Sequence, residues 1–260
     1  MSAREPSIGA AYGLAVLRTR DVEYEVDGVV MVGYLAIDDS STVPVGGRRP
    51  GVLLSHEGGG MDGNVRSRTE RLAASGYVAF ALDYFGGGRQ PPFEEAQARL
   101  RVLLDDPDGI RRLGRAGLEV LTAQEEVDAD RLAAIGFCFG GTMSLELARD
   151  GAPLRVVVGF HPGLNSARPD DSANITASVL MCCGADDPII PVESRRAFEE
   201  EMRSAGVADW RLELYGGVGH SFTNPSIDAR GWPGFAYDER ADRRSWQSML
   251  DLFRERLDPT

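Results

Sequence analysis

Two hydrophobic rhythms alternate along most of this chain. Short apolar runs rich in Val, Leu, Ile and Ala recur at about 51–55, 77–83, 132–137, 155–160, 178–183 and 210–215. Between them lie longer segments whose apolar positions return every three or four residues, near 64–75, 92–104, 107–123, 140–150, 192–205 and 239–256. The first rhythm predicts strands and the second amphipathic helices. Ahead of the alternation, 22–26 and 29–37 read as a hairpin turning on Asp27-Gly28, a two-residue turn signal. A polar loop at 40–47 separates the hairpin from the rest.

Repeated strand–helix units predict an α/β fold: a mostly parallel sheet with helices on both faces and functional sites at the strand carboxyl ends. No repeat, low-complexity tract or linker divides the sequence, so residues 1–260 are expected to form one α/β domain. Its core uses nearly all of them, which leaves no separate cap domain. The stretch 223–238, with Trp232, Phe235 and Tyr237, lacks either rhythm. It reads equally as a local lid or as a solvent loop anchored by its aromatics.

Composition narrows the partners. A formal net charge of −12 argues against nucleic acid and anionic membrane surfaces. All 28 basic residues are arginine. Without lysine there is no Schiff base, no lysine-bound pyridoxal phosphate and no Walker-type phosphate loop. Three cysteines, two of them adjacent at 182 and 183, make no disulfide framework, so a reducing, cytoplasmic setting is expected. The weakly apolar stretch 8–17 has the wrong flanks for a signal peptide. No run approaches the ~20 apolar residues of a membrane span.

The candidate chemistry centres on Gly136-Phe137-Cys138-Phe139-Gly140-Gly141. A strand pattern ends there and a helix pattern begins, the arrangement of a nucleophile elbow. Glycines two before and two after Cys138 remove β-carbons where strand and helix crowd together. The helix N-terminus then points its amides at the sulfur, where negative charge is favoured. A buried cysteine in a glycine-rich turn is the plainer reading. A nucleophile needs a base, and the base an orienting carboxylate. His220 follows the strand pattern at 210–215, and Asp186-Asp187 follow the one at 178–183. The order nucleophile, acid, histidine at successive strand ends is that of α/β-hydrolases. By the elbow geometry, one oxyanion donor is the amide of Phe139.

These stretches, with Ser55-His56-Glu57-Gly58-Gly59, Asp83-Tyr84-Phe85-Gly86-Gly87 and Gly219-His220-Ser221-Phe222, resemble the dienelactone hydrolase family of α/β-hydrolases over about residues 20–256. The cysteine in the elbow is the specific element of that resemblance. It implies Cys138 as nucleophile, His220 as base and Asp187 as orienting acid, because the family's acid lies four residues before a proline, here Pro191. Asp186 is left to a turn or cap, with the reversed assignment as the alternative. The resemblance also implies the amide of Gly58 as second oxyanion donor. It gives Glu57 the role of pairing with the resting thiol until substrate arrives; a loop glutamate capping the next helix is the plainer reading. Tyr84, Arg89, Ser221, Phe222, Asn224 and Trp232 are expected around the substrate. His56 and His161 read as backbone-bonding or pocket-lining residues, and His56 with Glu57 offers too few ligands for a metal.

Two departures bear on substrate. Family members that open the carboxylated dienelactone hold its carboxylate with two arginines. Asn224 stands where one would lie, four residues after His220, and Arg89 matches the other only if two glycines are inserted. The expected activity is hydrolysis of a small ester or lactone through a thioester, with no cofactor and no metal. A broad carboxylesterase on neutral esters is one alternative. The other is an idle or redox-sensing protein with an oxidised Cys138, for which no resolving cysteine lies near in sequence. Oligomeric state is not legible in the sequence.

Overall fold

The computed structural model describes residues 16–40 and 47–258. Most of the expected loop at 40–47 and of the leading stretch 8–17 therefore lies outside the described residues. The strands are β1 (Leu17–Val26), β2 (Val29–Asp38), β3 (Arg49–Ser55), β4 (Val78–Leu82), β5 (Val127–Phe137), β6 (Val156–Phe160), β7 (Ser178–Gly184) and β8 (Trp210–Tyr215). The helices are α1 (Gly63–Ala74), α2 (Phe93–Leu104), α3 (Pro107–Thr122), α4 (Phe139–Arg149), α5 (Val192–Ser204) and α6 (Glu239–Arg256), with short 3-10 turns at Pro169–Asn174 and Ile227–Arg230.

One eight-stranded sheet runs β1-β2-β4-β3-β5-β6-β7-β8. The hairpin β1–β2 and the β2–β4 pair are antiparallel, and every pair from β4 through β3 to β8 is parallel. The parallel strands are apolar on both sides because each side carries its own core. In β3, Leu53 packs into one core while Val52 and Leu54 pack into the other. The first core is closed by apolar residues of α2, α3, α4 and α5, and the second by those of α1 and α6. Side chains accept the orphan amides of three helix starts: Asp62 from Val65, Asp106 from Gly109 and Asp238 from Ala241.

Three strands begin earlier than the hydrophobic pattern predicts, β3 by two residues and β1 and β5 by five. β1 starts at Leu17, but its first residues are largely exposed and polar, so only its hydrogen bonds to β2 define it. β5 starts at Val127, and its register against β3 shifts between Pro50 and Gly51, which carries residues 128–131, three of them charged, through an irregularity.

Candidate active site

The elbow explains its own glycines. β5 ends at Phe137, α4 starts at Phe139, and Cys138 stands between them at φ 52°, ψ −122°. A β-carbon on Gly136 would lie 2.0 Å from the carbonyl oxygen of Gly140, and one on Gly140 would lie 2.1 Å from that of Ser55. Strand and helix therefore meet backbone to backbone, and half-buried Cys138 is lifted out at the strand end.

Two further strand ends converge on it. After β7 the amides of Ala185 and Asp186 bond to the carbonyls of Tyr215 and Val218. Asp186 ends up exposed, while Asp187 is buried. One Asp187 oxygen accepts from the amides of Ile189 and Ile190 at 2.8 and 3.2 Å. The other accepts from His220 Nδ1 at 2.7 Å. His220 Nε2 lies 3.2 Å from Cys138 Sγ. Burial opposes a charged imidazole here, but the facing sulfur and the Asp187 carboxylate outweigh it and lift His220 to about 10.

The loop after β3 forms another wall. Tyr84 is fully buried and donates to the carbonyls of both His56 and Glu57, at 3.0 and 2.8 Å. Its ring stacks on His56 at 3.7 Å. His56 donates from Nδ1 to the Glu57 carbonyl at 2.6 Å, and burial brings its pKa down to about 4. Expected beside the substrate, Tyr84 instead braces the loop that presents Gly58. Among the described residues no acceptor takes the amides of Gly58 or Phe139.

Glu57 differs from its expected pairing. The Cys138 sulfur is bonded to His220, while among the described residues Glu57 Oε2 accepts from Ser221 Oγ at 3.5 Å and Asn224 Nδ2 at 3.4 Å. Its Oε1 is buried with no hydrogen-bond partner. Burial pushes the carboxyl up to about 7, although the Asn224 bond and the His220 charge pull the other way.

The remaining expected residues divide. Ser221 and Asn224 are buried; the Ser221 hydroxyl and the Asn224 Nδ2 donate to Glu57, while Asn224 Oδ1 accepts from the Ser226 amide. Phe222 is fully buried against His161 and Tyr215, so it supports the site from below and does not line it. Arg89 is exposed and ion-paired with Glu95. Trp232 is half-buried between Phe93 and Phe235, at 5.1 and 5.5 Å, and Phe235 packs on the His220 ring at 4.9 Å. The backbone of 223–238 is tied to the histidine as well, since His220 N donates to the Gly234 carbonyl and Ala236 N to that of His220. Sequence reasoning missed Phe235 as a direct neighbour of His220; the aromatics of 223–238 were its only signal. Among the described residues no group of three or more His, Cys, Asp or Glu side chains is arranged to hold a metal ion.

A mostly parallel sheet of this strand order, with an elbow after β5 and a histidine after β8, defines an α/β-hydrolase. The chain belongs to the dienelactone hydrolase family, whose sequence profile matches residues 31–257. Among solved structures it is similar to the one named m3DLH, with 43% identity, a TM-score of 0.88 and coverage of 93% of this chain and 99% of the other. It is also similar to the dienelactone hydrolase-like promiscuous phosphotriesterase P91 from metagenomic libraries, with 39% identity, a TM-score of 0.87 and coverage of 93% and 99%. A candidate carboxymethylenebutenolidase of Salmonella typhimurium is 30% identical over 217 residues, 80% of this chain and 77% of that protein. Family and relatives together mark the chain as a hydrolase of ester or lactone bonds. No helix among the described residues is long and apolar enough to cross a membrane.

Proposed function

We propose that the protein hydrolyses small uncharged esters and lactones by covalent catalysis at Cys138. The observation that carries this reading is the continuous line from Asp187 through His220 to the Cys138 sulfur, with contacts of 2.7 and 3.2 Å. His220 takes the thiol proton, and the sulfur attacks the substrate carbonyl carbon. The amides of Phe139 and Gly58 hold the resulting oxyanion, and losing one such donor typically slows turnover about 10²–10³-fold. Collapse expels the alcohol, which receives its proton from His220, and leaves a thioester on Cys138. His220 then draws a proton from water, the water oxygen attacks the thioester carbonyl, and the thiol is regenerated. Asp187 keeps the ring oriented throughout.

The preference for uncharged substrates rests on the charges nearby. Arg89 is engaged by Glu95, Asn224 is neutral, and Glu57 adds a carboxyl against Ser221 and Asn224. A substrate carboxylate would therefore enter without a guanidinium to meet it, forgoing about 1.5–3 kcal/mol for one charge-assisted bond. Leu100, Phe93, Trp232 and Phe235 offer apolar surface instead. The likeness to P91 supports phosphotriesters as a secondary substrate class, with phosphorus as the attacked centre.

Turnover of a neutral p-nitrophenyl ester and of the carboxylated dienelactone by the wild type and Cys138→Ser tests the reading. The serine variant is expected to fold and to lose at least about 100-fold in kcat, because a hydroxyl is far harder to activate than a thiol. The wild type is expected to favour the neutral ester. Undiminished turnover by Cys138→Ser would contradict the thiol mechanism, and a strong preference for the carboxylated lactone would contradict the substrate assignment.

A further inference from the structure

His161 has no part in the chemistry above, yet it is built into the site from three sides. It follows β6 directly, is fully buried, and adopts φ +45°. A residue with a β-carbon holds that left-handed conformation only where its surroundings enforce it. Its own amide donates to the Cys182 carbonyl at 2.7 Å, which anchors the strained residue to β7. The imidazole meets the backbone nitrogen of Cys138 with Nδ1 at 3.1 Å. That same nitrogen also donates to the Phe160 carbonyl at 2.9 Å. On the other side of the ring, Nε2 lies 2.8 Å from Thr223 Oγ1.

These partners fix the tautomer. A backbone amide can only donate, so Nδ1 is the acceptor and carries no proton; the ring hydrogen sits on Nε2 and goes to the Thr223 hydroxyl. Thr223 is itself held, because its carbonyl accepts from Arg68 at 2.7 Å and Arg68 is paired with Asp242 at 2.7 Å. Thr223 follows His220 by three residues, on the same loop. The rings of His161 and His220 meet edge to face, with centroids 5.1 Å apart. One imidazole thus joins the strained amide of Cys138, at φ 52°, to the loop that carries His220.

We propose that neutral, Nε2-protonated His161 is a positioning residue that sets the register between the Cys138 elbow and the His220 loop through its bonds to the Cys138 amide and the Thr223 hydroxyl. The inference rests on the reading of Cys138 as nucleophile. A cationic His161 would lose its acceptor for the Cys138 amide and would face the charges of His220 and Arg68. Burial first, then those two charges, hold its pKa well below the ordinary histidine value.

Two substitutions separate positioning from filling space. His161→Gln offers an acceptor and an N–H donor on a side chain of similar reach, while His161→Leu fills much of the volume with neither. The leucine variant is expected to lower kcat about 10- to 100-fold with KM little changed, because alignment is lost and no substrate contact is. The glutamine variant is expected to recover most of kcat. Long-range 1H–15N correlation spectra of the 15N-histidine-labelled wild type at pH 7, assigned through the imidazole that vanishes in His161→Gln, are expected to show the neutral Nε2–H tautomer for His161. A cationic or Nδ1–H ring would overturn the proposal, as would equal kcat losses in the two variants or none in His161→Leu. If His161→Leu does not fold, the wild-type tautomer and the kcat of His161→Gln decide. Cys138→Ala, assayed beside them, tells the two failures apart: turnover by that variant removes the nucleophile reading itself. An inactive Cys138→Ala next to a fully active His161→Leu removes only the positioning role.

Discussion

A carboxyl group shielded from water without a cation bonded to it is costly, and half-buried Glu57 is such a group. Among the described residues its donors are the neutral Ser221 hydroxyl and Asn224 amide, both at long range, and its Oε1 has no partner. With its pKa near 7, against 4.5 for a free glutamate, the folded protein holds this proton where the unfolded chain has released it. The folded state therefore loses stability as pH rises from about 4.5 to 7, and the penalty persists above that. Glu57→Gln removes the charge and keeps the shape. It should stabilise the protein by about 1–3 kcal/mol at pH 8 and leave it nearly unchanged at pH 4. Thermal unfolding of both forms at the two pH values checks this; a variant no more stable at pH 8 would mean that Glu57 is compensated. Asn224→Arg is expected to place its guanidinium against Glu57 ahead of any substrate carboxylate.

At the scale of elements, α4 carries the elbow and every one of its residues is buried. That includes Glu146 and Arg149, side-chain types that are seldom fully buried unless paired. Glu146 accepts from Arg111 at 2.9 Å and from Arg149 at 2.9 Å. Arg149 also pairs with Glu201 of α5 at 2.6 Å, and Arg111 with Asp171 at 2.6 Å. The network ties α3, α4 and α5 to the 3-10 turn beneath the helix whose N-terminus faces the sulfur. Removing one partner leaves two guanidiniums short of an acceptor, so Glu146→Leu should cost about 3–5 kcal/mol. Denaturant unfolding measures it, and a loss below about 1 kcal/mol would show the network to be dispensable. None of this was legible in the chain, because a charge pattern does not reveal which arginine finds which acid across 35 or 52 residues. The helices themselves were legible to within a residue at each end, since amphipathic spacing is a local signal.

At the scale of the molecule, the sheet brings Cys138, Asp187 and His220 together from the ends of β5, β7 and β8, although the histidine lies 33 residues from the acid and 82 from the sulfur. Their order along the chain was readable because each stands just past a strand pattern. The supporting residues were not. His161 shows in sequence only as a strand end before Pro162-Gly163, and its partner Thr223 comes from a loop 62 residues on. Tyr84 belongs to a stretch that resembles the family, but its role as a brace depends on burial that no motif encodes.

On the proposed mechanism, carbonyl substrates pass through a thioester on Cys138. Rapid quenching of the wild type with a p-nitrophenyl ester, followed by mass spectrometry of its peptides, tests it most directly. One acyl group is expected on the peptide containing Cys138, released by neutral hydroxylamine and missing from Cys138→Ala. An acyl group on a serine or threonine, or steady turnover by Cys138→Ala, would contradict it.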